Sequence, residues 1–246
     1  KQTFVMEPHA STIWQDSPGK YLDLLLPCIL VIMSQIGYSQ TEIIIHDRLG
    51  FCISRLIQQL LSIMDEVSVE LQLRKFLEED IGFGDLTSDS LIEDDIPAEA
   101  TMVCKQAGIV AGLSEASSIF RILGCKASTF VVDGAKVEAD SHVLRILGPA
   151  RAILAGERVA LNLVTRMSGI ATATSKYVQA VGNSRVRIAA TRKTAPGLAF
   201  FDKRAVSLGG GDTHRLRLDD CVIIKDNHIS IVGSVGKSVK KARFRV

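Results

Sequence analysis

The sequence is poor in features that mark metal-stabilised and disulfide-bonded proteins. Its 246 residues include five cysteines, none of which forms a CxxC pair with another. No histidine lies at zinc-ligand spacing from any of them, so the sequence gives no support for a structural metal site or a disulfide framework. Scattered cysteines in apolar surroundings are typical of reduced core residues, which predicts a cytoplasmic location.

Long apolar runs and a strong net charge are also lacking. The most apolar stretch, residues 21–33, is interrupted by Asp23 and Pro27. It falls short of the ~20 residues that a membrane-spanning helix needs, and it has neither the basic start nor the small-residue cleavage site of a secretory signal. A formal net charge of only +2 gives no support for a nucleic-acid or membrane partner. We therefore predict neither partner.

What the sequence does have is a globular composition with a local excess of cations. Hydrophobic residues make up 47% and charged residues 23%, and this length suits one or two domains. Between positions 185 and 225, nine Lys or Arg residues stand against four Asp residues. A local cluster of this kind suits a binding site for a small polyanion better than a long electrostatic track.

Two short apolar runs end abruptly in these cations. Residues 186–190 lead into Thr191, Arg192 and Lys193, and residues 221–224 lead into Lys225. Runs of this kind predict buried strands, and the apolar spacing of residues 196–208 predicts a helix between them. A βαβ unit would bring both strand ends to one edge of a parallel sheet, where binding sites form.

Not every charge in this region is predicted to bind a ligand. Solvated surface positions are the simpler interpretation of Lys203, Arg204 and Arg217, because exposed charges are common. Binding is favoured for Arg192, Lys193 and Lys225, which directly follow the predicted strands. The triple glycine at residues 209–211, with the DTHR segment that follows it, is able to turn consecutive backbone N–H groups toward the same anion.

The preceding part of the chain has the pattern of a mixed α/β domain. An amphipathic helix from residue 67 is predicted to end near Gly82, and strands are predicted at residues 99–110, 130–132 and 143–147. A helix at 113–123 and a long helical region at 149–176, broken at Gly169, complete the pattern. Asp80 and Asp85 are open to two interpretations, ligand contact and backbone capping, and their glycine neighbours favour capping.

Five ordered motifs carry a resemblance to a known family. They are EEDIGFGDLTSD at residues 78–89, ERVALNLVTRMSGIAT at 157–172, TRKTAPGL at 191–198, GGGDTHRL at 209–216 and IKDNHI at 224–229. In this order they resemble the quinolinate phosphoribosyltransferases, the carboxylating nicotinate-nucleotide pyrophosphorylases. The resemblance begins near residue 64. Two positions depart from the family pattern, Ala190 in place of an acidic residue and Thr213 in place of Asn.

The resemblance implies an α/β fold with two parts. Residues 64–166 would form an N-terminal α/β sandwich domain and residues 167–246 part of an α/β barrel, after an unrecognised extension at 1–63. The motifs imply that Lys193 and Lys225 act in catalysis. They also imply a set of substrate-binding residues: Arg158, Thr191, Arg192, Lys193, His214, Arg215 and Lys225. The family's Arg at position 158 reaches across a dimer interface, so a homodimer or higher oligomer is expected, although a Glu-Arg pair on a helix is by itself an ordinary surface feature.

The implied reaction transfers phosphoribosyl from phosphoribosyl pyrophosphate to quinolinate, with Mg2+ on the pyrophosphate and loss of CO2. It gives nicotinate mononucleotide for NAD synthesis. The family pattern continues beyond position 246 with acidic and phosphate-binding residues, so the sequence is expected to carry two or three barrel strands with an open sheet edge. Two alternatives therefore stand beside the enzyme interpretation: an inert anion-binding remnant, and a nicotinate phosphoribosyltransferase of similar fold.

Overall fold

The fold is described from a computed structural model that covers residues 67–93, 96–182 and 186–245. These residues all belong to the compact unit at 63–246. The predicted extension at 1–63 lies outside the described residues. In the described segments, no helix combines the length and the apolar character that crossing a membrane requires.

Two small antiparallel sheets form the first layer. Strand β1 is Pro97–Val103, β2 is Gly108–Ile109, β3 is Lys126–Thr129, β4 is Lys136–Val137 and β5 is His142–Pro149. The larger sheet has the order β1-β5-β3, and β2 pairs with β4 in the second sheet. In β5, Leu144 and Ile146 point inward from alternate positions, and the adjacent Val143 is buried as well, so that all three join the core.

The described part of the chain has seven helices. Helix α1 covers residues 67–81 and packs on the core through Leu73 and Leu77. The others are α2 (Leu86–Leu91), α3 (Leu113–Ile122), α4 (Ala150–Val181), α5 (Ala199–Leu208), α6 (Asp226–Val232) and α7 (Val235–Arg245). With mixed helices and strands, the α/β prediction is confirmed, whereas the predicted domain boundaries stay predictions.

Helix α4 is the longest element, with 32 residues, and it continues through the position where a break was predicted. The expected break at Gly169 is wrong. Gly169 faces solvent, and a Cβ built there would meet no other atom within 4 Å. Its neighbours Val164, Met167 and Ala171 are buried, so core packing keeps this turn helical despite the low helix propensity of glycine.

One side of α4 binds the backbone of the first layer through two hydroxyl groups. The N–H of Ile109 donates to Thr172 Oγ1 at 2.8 Å, and the N–H of Ala111 donates to Ser168 Oγ at 3.0 Å. These residues are spaced i, i+4, so their side chains lie on one helix face. The SGIAT part of the second motif is therefore structural, because it satisfies the backbone of an irregular strand.

Two of the predicted strands in the first layer are wrong in extent. The run at 99–110 is split between β1 and β2, because Cys104 bonds to the turn at Asp140 and Ser141 instead of continuing the ladder. Residues 130–132 form no strand. Beyond them, the Asp133 carboxylate accepts the N–H groups of Leu113 at 2.9 Å and Ser114 at 3.2 Å, which caps α3 and draws the chain away from β5.

The predicted strands around the cations are also reduced. Residues 186–190 contribute a single parallel bridge between Ala189 and Asp212, and residues 221–224 form no strand. Both segments lack a full neighbouring strand in the described structure, so a backbone with strand propensity has little to pair with. The helix between them is confirmed as α5, which begins three residues later than predicted.

The smaller predictions have mixed outcomes. Asp85 caps α2, since its Oδ1 accepts the N–H groups of Thr87 at 3.1 Å and Ser88 at 3.2 Å. Asp80 does not cap; it forms an ion pair with Arg158. The cysteine prediction holds for the buried Cys125 and is wrong for Cys221, which is exposed.

Candidate anion-binding site

Two cation-bearing segments leave one edge of the fold side by side. The N–H of Asp212 donates to Ile188 O at 2.8 Å, and the N–H of Ala190 donates to Asp212 O at 2.8 Å. This bridge is parallel. Residues 191–193 and 213–215 therefore leave the paired backbone in the same direction, as strand ends do at a binding edge. The structure brings these two predicted groups of site residues together.

The first segment is a short turn with exposed cations. The N–H of Lys193 donates to Thr191 Oγ1 at 3.1 Å, so the threonine hydroxyl shapes the turn in the manner of an ST turn. The side chains of Thr191, Arg192 and Lys193 are exposed. Neither Arg192 nor Lys193 forms an ion pair with a carboxylate of the described residues. Their charges are therefore available to an anion.

The second segment is held in an unusual backbone conformation. His214 has a φ of 53°, in the left-handed region that non-glycine residues seldom occupy. The N–H of His214 donates to Asp212 Oδ1 at 2.8 Å, and the N–H of Arg215 donates to His214 Nδ1 at 2.8 Å. A ring nitrogen that accepts this bond carries no proton, so neutral His214 has its proton on Nε2 and presents a donor there.

Arg215 is partly committed to the fold. Its Nη1 donates to the carbonyl oxygen of Cys221 at 2.5 Å, which ties this segment to the one that leads to Lys225. Its Nε is buried and has no hydrogen-bond partner among the described residues. A buried donor without a partner costs free energy, so an incoming acceptor would find favourable contact here.

The loop after Arg215 is closed by a carboxylate. Asp220 Oδ2 accepts the N–H groups of Leu216 and of Arg217, the latter at 3.0 Å. These backbone bonds, that from Arg217 foremost, hold the pKa of Asp220 below its ordinary value. Arg217 is exposed and pairs with Asp219 at 3.4 Å, as predicted for a surface charge.

Lys203 contradicts the prediction of a solvated surface position. It lies on α5 and is only 2% exposed. Its Nζ donates to the carbonyl oxygens of Thr213 and Arg215, each at 2.6 Å. Burial lowers the pKa of Lys203, the nearby charge of Arg192 lowers it further, and Asp220 and Asp212 oppose the shift. The side chain of Arg204 is also partly buried, and it pairs with Glu115 and Asp133.

The glycine run does not form the predicted anion nest. The N–H groups of Gly209, Gly210 and Gly211 donate to backbone carbonyls of α5, and that of Asp212 donates to Ile188 O. The glycines serve close packing instead. A Cβ at Gly209 would stand 2.4 Å from Ala171 O, and one at Gly211 would stand 2.8 Å from Thr174 Cγ2. They let the chain lie directly against α4.

Lys225 lies just before α6. Its N–H donates to His228 Nδ1 at 3.0 Å, and its side chain is exposed. Within the described segments no hydrogen bond or ion pair joins Lys225 to residues 191–193 or 213–215. The connection is indirect, through the contact of Arg215 with the backbone of Cys221.

Arg158 stands apart from this edge, on α4. Its side chain is 75% exposed and pairs with Asp80 of α1 at 3.4 Å. Beside it is a cleft of about 330 Å3, lined by Phe76, Glu79, Asp80, Val159, Asn162, Leu163, Arg166 and Leu198. Arg166 is fixed there by two bonds to Asp202, at 2.7 and 2.9 Å, which raise the pKa of Arg166. In this chain, no described contact brings Arg158 to the other predicted site residues.

Sequence reasoning missed Lys203 and the Arg166–Asp202 pair. These residues lie on helices that were predicted as helices, but α5 is buried on more than one side, so that Phe201, Asp202, Lys203 and Ala205 are all covered. Helical periodicity indicates one apolar face and carries no signal for a buried cation on another.

Comparisons with known proteins agree on one family. The family model described as quinolinate phosphoribosyl transferase, N-terminal domain, matches residues 85–168, and that of the C-terminal domain matches residues 170–246. A probable nicotinate-nucleotide pyrophosphorylase [carboxylating] of Methanothermobacter thermautotrophicus is 44% identical over 71% of this chain and 63% of its own length. The protein of the same name from Bacillus subtilis is 41% identical over 73% of this chain and 63% of its own.

Solved structures give the same result. NadC from Streptococcus pyogenes superposes with a TM-score of 0.68 at 36% identity, over 73% of this chain and 64% of that one. The chain thus spans less than two thirds of the length of these relatives. Two adjoining family models, relatives above 40% identity and the fold itself agree, and the chain belongs to the quinolinate phosphoribosyltransferase family.

Proposed function

We propose that this chain binds quinolinate and, as part of the complete catalytic unit, transfers phosphoribosyl to it from phosphoribosyl pyrophosphate with loss of CO2. The observation that carries the proposal is the parallel bridge at Asp212, which supports one edge bearing Arg192, Lys193 and His214. Quinolinate has two adjacent carboxylates, and cations from two neighbouring segments suit such a dianion.

The residues of this edge have separable tasks in the proposal. Thr191, Arg192 and Lys193 hold one carboxylate, and His214 Nε2–H with Arg215 holds the other. Lys193 and Lys225 face the reacting atoms and offset charge on the departing pyrophosphate. Electrostatic stabilisation and positioning of this kind act without a protein nucleophile, and positioning alone contributes roughly 7–11 kcal/mol in favourable cases.

The chemistry balances without a further reactant. The ring nitrogen of quinolinate forms a bond to the anomeric carbon of the ribose, while the bond to pyrophosphate breaks and its electron pair leaves with pyrophosphate. The bond from the ring to the 2-carboxylate then breaks and releases CO2. Its electron pair stays on the ring carbon beside the quaternised nitrogen, which stabilises it until that carbon takes a proton. The product is nicotinate mononucleotide.

Magnesium belongs to the substrate in this proposal. Mg2+ would enter on the pyrophosphate of phosphoribosyl pyrophosphate, where it offsets charge on the leaving group. Among residues 67–93, 96–182 and 186–245, no group of three or more His, Cys, Asp or Glu side chains could hold a metal ion. The proposal therefore assigns no metal ligand to the described residues.

A homodimer completes the proposed site. Arg158 is exposed on α4 and has no described contact with the anion-binding edge of its own chain. In the proposal it reaches the edge of a second copy, where it adds a cation to the substrate pocket. Its ion pair with Asp80 opposes this reach only weakly, because exposed pairs contribute only about 0–1 kcal/mol.

The test is release of pyrophosphate and CO2 by the purified chain, given quinolinate, phosphoribosyl pyrophosphate and Mg2+, with quinolinate binding followed by calorimetry. Lys193→Ala should abolish turnover and weaken binding at least tenfold, whereas Lys240→Ala on the exposed face of α7 should change neither. Quinolinate binding that depends on Lys193 without turnover would support an anion-binding remnant. Turnover of nicotinate without CO2 release would contradict the carboxylating reaction, and absence of quinolinate binding would overturn the proposal.

A further inference from the structure

A buried lysine lies directly beneath the anion-binding edge. Lys203 projects from α5 and is only 2% exposed, although lysine is among the residues least often buried. Transfer of an ammonium group out of water is costly unless hydrogen bonds replace its hydration. No described carboxylate forms an ion pair with it. Two backbone carbonyls are its hydrogen-bond partners.

The choice of those two carbonyls is specific. Lys203 Nζ donates to Thr213 O at 2.6 Å and to Arg215 O at 2.6 Å, and these residues flank His214 on both sides. Hydrogen bonds from a charged donor are short and strong, so the ammonium fixes two peptide planes at once. These are the 213/214 and 215/216 peptide planes, so the ammonium restrains the backbone segment from which the His214 side chain projects.

His214 is also held by hydrogen bonds of its own backbone N–H and ring. Asp212 Oδ1 accepts the N–H of His214 at 2.8 Å, and His214 Nδ1 accepts the N–H of Arg215 at 2.8 Å. The residue thereby stays at a φ of 53°, which costs free energy for a side chain with a Cβ. A strained residue of this kind keeps its conformation only where its surroundings determine it fully, and Lys203 supplies two of the four bonds.

We infer that Lys203 is a positioning residue, whose buried ammonium fixes the backbone on both sides of His214 so that His214 and Arg215 meet the bound anion together. This inference rests on the proposed function for the identity of the anion, quinolinate. The geometry of residues 213–215, by contrast, is independent of the proposed function. Lys203 is not required to touch substrate, and its effect reaches the ligand only through residues 213–215.

The experiment compares Lys203→Met, which keeps the aliphatic stem without donors, with Lys203→Arg, which keeps a charged donor. Lys240→Met, on the exposed part of α7, is the matched control. Histidine ring resonances are recorded by NMR without ligand, and quinolinate affinity is measured by calorimetry. We expect Lys203→Met to shift the His214 resonances, leave those of His142 in β5 unchanged, and weaken quinolinate binding about tenfold.

The arginine variant and kinetics separate positioning from general stability. Lys203→Arg should return the His214 resonances toward their original place and recover most of the affinity. In an active assembly, the methionine variant should raise KM for quinolinate more than it lowers kcat. Unchanged His214 resonances and affinity in Lys203→Met would overturn the inference. If the unmodified chain binds no quinolinate, the proposed function fails, and the His214 resonances alone still decide the role of Lys203.

A variant that does not fold leaves a direct measurement on the unmodified chain. A buried ammonium with two carbonyl acceptors should give a slowly exchanging Nζ–H signal, with scalar couplings across its hydrogen bonds to the carbonyl carbons of Thr213 and Arg215. Detection of both couplings would support the role of Lys203 as a positioning residue. A Lys203 ammonium that exchanges as fast as that of Lys240 would contradict it.

Discussion

Single buried charges in this chain differ in how they are compensated. Lys203 donates to two carbonyl oxygens and Asp202 accepts two bonds from Arg166, whereas Glu115 has an ion pair with Arg204 and a bond from its own backbone N–H. The carboxylate of Glu115 is 2% exposed, and its Oε2 has no hydrogen-bond partner among the described residues. Burial raises the pKa of Glu115, and the attraction of Arg204 at 3.3 Å only partly offsets that effect.

This imbalance predicts a pH-dependent loss of stability. Because the pKa of Glu115 is higher in the folded chain than its ordinary value of 4.5, the folded state binds the proton more tightly. The free energy of unfolding should therefore fall as pH rises from about 4.5 to the folded pKa, and this term should then stay constant. The Glu115→Gln variant should not show this pH-dependent fall in the free energy of unfolding.

Urea denaturation of the unmodified chain and of Glu115→Gln between pH 4 and pH 8 measures this difference. The unmodified chain should lose stability relative to the variant as pH rises through that window. Glu138→Gln, at an exposed glutamate, is the control for loss of a charge. A difference between the two chains that stays constant over the whole range would refute the assignment.

At the scale of elements, α4 is the support for both halves of the described fold. One side holds Ile109 of β2 through Thr172 and Ala111, two residues further on, through Ser168, and another side meets the glycine run at residues 209–211. In each contact, α4 lies very close to the backbone of another segment, and small or hydroxyl-bearing side chains permit that close approach. The SGIAT segment supplies both kinds of residue.

Alanine replacement of a packed glycine and of an exposed glycine should have opposite effects. Gly209→Ala places a Cβ 2.4 Å from Ala171 O, so we expect the free energy of unfolding to fall by about 1–3 kcal/mol. Gly169→Ala adds a methyl group in open space within α4, and should raise it by about 0.5–1 kcal/mol. Denaturant titration of both variants gives the comparison. Equal effects of the two replacements would show that the packing described at Gly209 is wrong.

Thr172→Val should leave the N–H of Ile109 without its 2.8 Å acceptor. A partly buried donor that loses its partner costs about 1–3 kcal/mol, and the new methyl group cannot replace the hydroxyl. Thr165→Val, at an exposed position of the same helix, should have little effect. Thermal unfolding followed by circular dichroism tests the pair, and equal melting temperatures for the two variants would argue against the hydroxyl contact.

The elements found correctly from sequence were those with a strong apolar pattern. The helices at 67–81 and 113–122 follow from their spacing of buried residues, and α4 was found as a helix but with a wrong break at Gly169. The strand predicted at 221–224 was wrong, because strand formation depends on a neighbour that local pattern does not describe. The glycine run was misread for a related reason. Three consecutive glycines indicate that the backbone closely approaches another group, but they do not indicate whether that group is an anion or a helix.

The sequence placed the candidate site residues next to one another better than it described the contacts that hold them, and their roles stay predictions. Cations directly after apolar runs identified Arg192 and Lys193, and the parallel bridge at Asp212 confirms that their segment leaves beside residues 213–215. The burial of Lys203 was not predictable, since its position on α5 shows no distinctive spacing. Only the tertiary arrangement shows which carbonyls need a donor.

For the whole molecule, the proposed dimer makes a complementation prediction. If Arg158 serves the edge of a second copy, then Arg158→Ala and Lys193→Ala damage the same site from different chains. Each variant alone should be inactive. When the two variants are mixed at random, half of the dimers contain one chain of each variant. Each of these hybrid dimers has one intact site out of two, so the mixture should recover about a quarter of the unmodified activity.

The activity assay of the proposed reaction measures this recovery after the two variants are unfolded together and refolded. Each variant refolded alone is the control. A mixture no more active than its parts would place Arg158 and Lys193 in the same chain's site, or outside it altogether.

The position of Gly169 has a consequence for how this chain can be divided. The two family models meet there, between residues 168 and 170, yet the position lies in the middle of a continuous 32-residue helix. A cut at this join would leave each piece with half of the buried stripe of α4 exposed to water. We therefore expect the two halves to fold together: expressed as separate fragments, each should recover its structure only in the presence of the other.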